Sequence, residues 1–352
     1  MNKSPRIKRV ITIFALMLLL ALLSGGGYAL RYYHTFYRPN ILSEEETLDV
    51  YVPTGASFAT LMDSLDAKGY LRFRNAFVRA AHKEQLPDRV KGGRYQLVSG
   101  MNNKAAVRLF ALGLQTPVNM VISGNIRSVE RLAAVLSRSI EADSLSMLLS
   151  LTDDLLLARF GFDSTSLFSM ILPNTYEVYW NTSPEKVLER MHREVQKWWN
   201  EERQDLAKAV GLSPFQVSTL AAIVQGETNY QPEMPTVAGV YMNRLKIGMP
   251  LQADPTLIFA LRDPTIRRLY SRDTQVDSPY NTYKYKGLPP GPICVPSIAA
   301  LEAVLHYQKH NYLYFCANPE FNGSHLFAVN YSDHLRNARA YQRAANERGI
   351  KR

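Results

Sequence analysis

One carboxylate is singled out by the pattern around it. Ser213–Thr228, SPFQVSTLAAIVQGET, reads as a helix: Ser213 is placed to cap it, Pro214 takes the first helical position, and Gln216 completes a capping box. Leu220, Ile223, Val224 and Glu227 then recur at i, i+3, i+4 and i+7, so Glu227 continues the stripe that faces a core. A carboxyl group there loses hydration, its pKa rises, and it holds a proton near neutral pH as a general acid must. The competing reading is a helix-end Glu that reaches past the core into water, since Gly226 and Thr228 mark the end of the helix. Spacing alone leaves both open.

Other residues able to do chemistry follow. Asp254, in LQADPT, precedes Pro255; it either caps a helix starting there or acts as a charged partner that orients a substrate. Gln252 offers an amide from the same loop. SPYNTYKYKGLPPGPI (Ser278–Ile293) sets tyrosines around Asn281 and Thr282, a mixture of apolar faces and polar donors that suits sugars and equally suits a hairpin packed on a core. Asn243 and Arg244 end VYMNRL, where an ion-paired structural Arg is the default. Glu233, beside Pro232 and Pro235, reads as a solvated loop carboxylate, and His325, after Gly323 and Ser324, as a cleft residue or a hydrogen-bonded structural one. His306 and His310 have the i, i+4 spacing of a metal pair but lack HExxH and a third ligand, so no metal is expected. The chain has no GxSxG, phosphate loop or nucleotide fingerprint, so no cofactor is expected either.

After the helix come PTVAGVYMNRL (Pro235–Leu245), IGMPLQADPT (Ile247–Thr256), the Tyr-rich segment, YLYF (Tyr312–Phe315) and GSHLFAVNYSDH (Gly323–His334). This order resembles the YceG-like (MltG) family of endolytic murein transglycosylases, from about Leu48 to the C-terminus and most specifically between Leu220 and Ile293. The resemblance implies a lyase that cuts within nascent peptidoglycan strands. Ordinary glycosidases use two carboxylates; a lytic transglycosylase manages with one, because the muramic acid's 6-hydroxyl replaces water and a 1,6-anhydro end results. Glu227 is then the catalytic residue, and Gln225, Gln252, Asp254, Asn281, Thr282, Tyr283 and His325 bind substrate. Family members often carry a second Glu two residues before the catalytic one. Here that place is Gln225, which cannot donate a proton at neutral pH. A family Pro-Asp-Thr-Tyr likewise stands here as Pro173-Asn174-Thr175-Tyr176. Two rivals remain: a hydrolytic muramidase using Glu227 with Asp254, and a non-catalytic glycan-binding scaffold for wall synthases.

The elements that must position these residues form an α+β chain behind an anchor. Lys3, Arg6, Lys8 and Arg9 precede Val10–Leu30, an uncharged stretch long enough to cross a bilayer of roughly 30 Å. The basic flank predicts a cytoplasmic N-terminus (1–9), a single span (10–30) in the cell membrane and an exported remainder. Tyr28, Tyr32, Tyr33, Phe36 and Tyr37 read as an interfacial belt, which favours an uncleaved anchor over a signal peptide. A polar link (31–47) follows. VYVPTGASFATLMDSL, RYQLVSGMNNKAAVRLF and NMVISGNIRSVERLAAVL each read as strand, turn glycine (Gly55, Gly100, Gly124) and helix, with Ser57 and Asn102 as caps of the first two. The resemblance makes 48–118 a LysM-like αβ module, either glycan-binding or a spacer, and 119–352 a mixed α+β catalytic domain. The net charge of +10 suits an acidic polymer or membrane surface. No zinc-finger, RNP or helix-turn-helix pattern accompanies it, so nucleic acid is not an expected partner. Cys294 and Cys316 are too few for a disulfide framework and are as readily free thiols as a pair.

Overall fold

A computed structural model describes residues 5–263, 266 and 269–349; Lys3 of the basic flank and the last three residues lie outside it. The fold is mixed α+β, with small two-stranded sheets among the described residues, and the chain divides into two compact units.

The first unit holds residues 1–118 and 177–181. Helix α1 (Pro5–Phe36) is exposed from Arg9 to Tyr33 and uncharged from Val10 to Leu30, and by length and composition it is able to cross a membrane. Strand β1 (Thr47–Val52) leads to α2 (Phe58–Ala67) and α3 (Arg74–Lys83); β2 (Gly93–Val98) leads to α4 (Asn103–Leu112). β1 and β2 pair antiparallel from Thr47↔Val98 to Val52↔Gly93. Alternate residues Leu48, Val50 and Val52 point into a core with Leu61, Leu65, Phe77, Tyr95 and Phe110. Ser57 and Asn102 cap α2 and α4 through their side chains, and Gly55 and Gly100 turn at positive φ, as those segments predict. Residues 38–47 are not a free link. Asn40 is buried: its Nδ2 donates to Asn103 Oδ1 at 2.6 Å, its Oδ1 accepts from Phe73 N at 2.5 Å, and Asn103 in turn donates to Thr35 O. Phe36 leaves the aromatic belt for the same core, while Tyr28, Tyr32, Tyr33 and Tyr37 stay exposed. The end of the apolar helix is therefore bolted to the module by packing and hydrogen bonds.

The second unit holds residues 119–176 and 182–352. In order it runs β3 (Val118–Ile122), α5 (Val129–Leu136), α6 (Ser144–Leu151), α7 (Asp154–Arg159), β4 (Asn174–Val178), α8 (Pro184–Trp198), α9 (Glu201–Val210) and α10 (Pro214–Glu227). It continues with α11 (Met234–Lys246), α12 (Asp254–Leu261), α13 (Ile298–Leu305), β5 (Tyr314–Ala317), β6 (His325–Ala328) and α14 (Tyr331–Glu347). β3 pairs with β4, and β5 pairs antiparallel with β6. The third strand–turn–helix differs from the first two: its left-handed residue is Asn125 rather than Gly124, and Gly124 instead admits Gln225 and Ser297 close to its backbone. α10 starts with the predicted capping box, Ser213 N donating to Gln216 Oε1 at 2.9 Å and Gln216 N to Ser213 Oγ at 3.2 Å. It is not amphipathic, however. Val217 to Gln225 are buried without interruption, because α9, α11, α12 and α13 all pack on this helix. It is the central helix of the unit, and Glu227 is its last residue.

Candidate active site

The geometry around Glu227 follows from what a buried helix does at its end. Thr228 leaves the helical conformation as C-cap, so Glu227 sits where core gives way to surface. Its side chain keeps some exposed area, yet protein packs densely round the carboxyl. Burial is the main cause that pushes its pKa up from the ordinary 4.5 to about 7; a hydrogen bond from Tyr241 opposes this, the charge of Asp254 adds to it, and the charge of Arg244 opposes it. Tyr241, one helix away on α11, donates its hydroxyl to Glu227 Oε1 at 2.7 Å. Burial, then the Glu227 charge, drives the phenol well above its usual range, so it remains a donor.

Arg244 lies three residues beyond Tyr241, on the same face of α11. It is buried without a carboxylate partner among the described residues. Its Nε donates to Leu313 O at 2.7 Å and its Nη1 to Leu251 O at 2.5 Å, so the expected ion pair is replaced by backbone carbonyls. Through Leu251 it fixes the loop that carries Gln252 and Asp254. Thr282 fixes the other side: its carbonyl accepts from Gln252 N, and its hydroxyl accepts from Ala253 N and meets Thr256 Oγ1 at 2.8 Å. Asn281 is fully buried and spends its amide on Thr274 O, Val276 O and Tyr283 N. Asn281 and Thr282, expected to touch substrate, have these polar atoms engaged inside the protein, where they build the loop.

What that loop presents is Gln252, Asp254 and Tyr283. Gln252 is exposed, at φ 50°, a left-handed conformation that costs a non-glycine residue roughly 1–2 kcal/mol. Asp254 is exposed at the first position of α12. The cap position belongs to Ala253, and the Asp254 carboxylate takes the Tyr283 hydroxyl rather than a backbone amide. Gly226 explains how α12 comes so near: a Cβ there would stand 2.5 Å from Pro255 Cβ.

Gln225 points elsewhere. Its buried Oε1 accepts from Ser297 N, the cap residue of α13, at 2.5 Å, so it braces α10 against α13 and does not face the Glu227 side. His325 is held by Glu233: the ring Nδ1 lies 2.6 Å from Oε1 and the backbone N donates to Oε2 at 2.9 Å. Glu233 is buried, and not the solvated loop residue its proline neighbours predict; the Thr228 hydroxyl donates to its Oε1 at 2.6 Å. Phe315 bridges the two clusters, its ring 6.0 Å from Tyr241 and 5.3 Å from His325. His310 is consumed by Thr236 O and Tyr312 N. Cys294 and Cys316 are free thiols, the first buried and pushed up to about 12.

Tyr241, Arg244 in its electrostatic role and Glu233 are the residues that sequence reasoning missed. A tyrosine on a buried helix needs a partner for its hydroxyl, and Tyr241 stands in VYMNRL; that signal was available. Nothing in sequence ties Glu233 to His325, 92 residues away.

The arrangement is a carboxyl whose pKa is pushed up to about 7 next to a fixed phenol, with a loop nearby that carries a second carboxylate and an exposed amide. Comparison with known proteins finds relatives over most of the chain. An endolytic murein transglycosylase of Bacillus subtilis (strain 168) is 25% identical over 342 residues, covering 93% of each chain. One from Streptococcus pneumoniae serotype 2 (strain D39 / NCTC 7466) is 25% identical over 355 residues, covering 92% of this chain and 64% of that one. A crystal structure of a YceG-like protein from Listeria monocytogenes superposes with a TM-score of 0.54 at 25% identity, over 83% of this chain and 98% of that one. The profile of the YceG-like family matches residues 50–340, and the chain belongs to that family.

Proposed function

We propose that the chain is a membrane-anchored endolytic lytic transglycosylase that cuts the β-1,4 bond between N-acetylmuramic acid and N-acetylglucosamine in nascent peptidoglycan strands. The observation that carries this reading is the Glu227 carboxyl, held near pH 7 by burial and hydrogen-bonded by Tyr241. The neutral acid gives its proton to the glycosidic oxygen as the bond to the muramic C1 breaks. The carboxylate so formed takes the proton of the muramic 6-hydroxyl as that oxygen closes on C1, leaving a 1,6-anhydro end and a regenerated acid. Asp254 offers negative charge to the sugar cation, with Tyr283 fixing its orientation. Gln252, strained and exposed, is the amide best placed to meet an acetamido group. Names and family membership of the relatives support the substrate class.

The nearness of Asp254, whose charge contributes to the Glu227 shift, favours a second reading, a hydrolytic muramidase with two carboxylates. Digestion of purified glycan strands by the full-length protein separates the two: anhydro ends by mass support the lyase, reducing ends the hydrolase, and uncut strands neither. Cutting near the membrane would end strand elongation beside wall synthases. The N-terminus lies in the cytoplasm and the chain beyond Leu30 outside it; a fusion at the C-terminus active only in the cytoplasm would overturn this topology. In the first unit, a cavity of about 540 Å³ between β1 and α2, lined by Asp49, Tyr51, Lys68 and Gln96 among others, is the place where a LysM-like module would hold glycan.

A further inference from the structure

A second concavity, of about 380 Å³, lies at the end of α1 and is not used by any of the chemistry above. His34 and Arg38 line it from the α1 end; Arg72, Phe73, Arg74 and Arg79 line it from the start of α3. Four guanidinium groups thus border one small space. Arg74 is paired with Asp66 at 2.7 Å, whereas Arg38, Arg72 and Arg79 have no carboxylate partner among the described residues. Two of the three are held in place without being neutralised. The Arg38 guanidinium lies 4.0 Å from the Phe73 ring centroid and that of Arg72 lies 5.3 Å from it, while Arg38 Nη1 approaches His34 Nδ1 at 3.5 Å. Like charges are held together here at an electrostatic cost, which an anion in the concavity would offset.

Its height fixes the kind of anion. A hydrocarbon core of roughly 30 Å takes about twenty helical residues, which Val10–Leu30 supplies, and the headgroup layer adds roughly 5–8 Å on each face. His34 is four residues past Leu30 on the same unbroken helix, about 6 Å further at 1.5 Å per residue. Exposed Tyr28, Tyr32 and Tyr33 mark the interface just below it. Because the end of α1 is bolted to the module through Asn40 and Asn103, the module's arginines stay at that height. We propose that this concavity binds the phosphate of an anionic phospholipid in the leaflet on the module's side, fixing the module against the membrane surface. The forked donors of arginine match phosphate oxygens.

The test uses the full-length protein in phosphatidylcholine vesicles with trace spin-labelled phosphatidylglycerol or phosphatidylcholine, reading the ratio of the protein-restricted fractions. A basic side chain at an anionic surface is worth about 1 kcal/mol, so removing Arg72 and Arg79 by reversal to Glu is expected to lower the preference for phosphatidylglycerol at least about fivefold. Arg108→Glu, at an exposed position of α4 outside the concavity, makes the same kind of charge change and should leave most of it. Arg38→Lys, which keeps the charge but loses the fork, should also weaken the preference; with Arg79→Gln it carries the test if the double reversal fails to fold. Equal losses from Arg108→Glu and the double reversal would reduce the effect to general surface charge and overturn the proposal. Displacement of the labelled lipid by inorganic phosphate in the aqueous phase would assign the concavity to free phosphate and overturn the lipid assignment.

Discussion

Replacing Glu227 by Gln should make the protein more stable at alkaline pH and change little in acid. In the folded chain the carboxyl titrates at about 7 against an ordinary 4.5. Below pH 4.5 both folded and unfolded states hold the proton and the group is neutral to stability. Between 4.5 and 7 the unfolded chain releases its proton while the folded one keeps it, so stability falls as pH rises. Above 7 the folded state carries a desolvated charge, and the loss is complete. A difference of about 2.5 pK units at 1.36 kcal/mol each gives a total of about 3 kcal/mol. Glutamine has the same shape, accepts the Tyr241 hydrogen bond and does not titrate. The variant's stability relative to wild type should therefore rise by about 3 kcal/mol from pH 4 to pH 9, following a titration centred between the two pKa values.

Thermal unfolding of both full-length proteins in detergent, scanned through that range, reads this directly. At roughly 2–4 °C per kcal/mol for domains of this size, the melting temperatures should diverge by roughly 6 °C or more towards alkaline pH. Parallel curves, or a wild type that gains on the variant as pH rises, would mean that the Glu227 carboxyl is solvated and would remove the physical basis for its role as acid. On the proposed mechanism, in which one residue serves both proton transfers, the variant should also lose at least about 10²–10⁴-fold in glycan cleavage.

Three further outcomes follow from the surroundings of Glu227. Tyr241→Phe removes a bond that lowers the Glu227 pKa, so the alkaline limb of the pH–rate profile should move above 7; a limb left in place would show the bond to be unimportant. Asp254→Asn removes a charge that raises it, so the limb should move below 7 with little change in melting temperature, whereas a large loss of stability would return Asp254 to a structural role. Gly226→Ala drives a methyl group into the Pro255 ring, so it should cost about 1–3 kcal/mol of stability and slow cleavage by moving Asp254 away from Glu227; a fully active, fully stable variant would show that α12 shifts freely.

Local signals were legible in the sequence wherever a short stretch dictates its own geometry. The capping box at Ser213, the caps at Ser57 and Asn102 and the turn glycines Gly55 and Gly100 all depend on residues a few positions apart. Periodicity fared less well on α10, because a stripe marks one buried face and cannot report that four helices surround the rest. Asn281 and Thr282 show the same limit in the site. Their residue types suit a sugar and suit a loop interior equally, and only the partners decide: Thr274 and Val276 for one, Ala253 and Thr256 for the other. Glu233 was hidden for a related reason, since prolines beside a carboxylate speak for a loop but say nothing of the strand that covers it.

A single carboxyl asked to give a proton and then take one back cannot sit far from the working pH in either direction. Burial alone would hold the Glu227 proton too firmly for the first step, and full hydration would leave no proton to give. The structure sets two influences against two: burial and Asp254 raise the pKa, Tyr241 and Arg244 lower it. Tyr241 and Arg244 share one face of α11, so both opposing groups arrive on one rigid element. Arg244 cannot pivot towards the carboxyl and pair with it, because Leu251 and Leu313 hold its guanidinium. A direct ion pair would pull the pKa down and leave an acid with no proton. Held back on backbone carbonyls, the same charge only moderates it, and through Leu251 it sets the loop that carries Asp254, the charge it opposes.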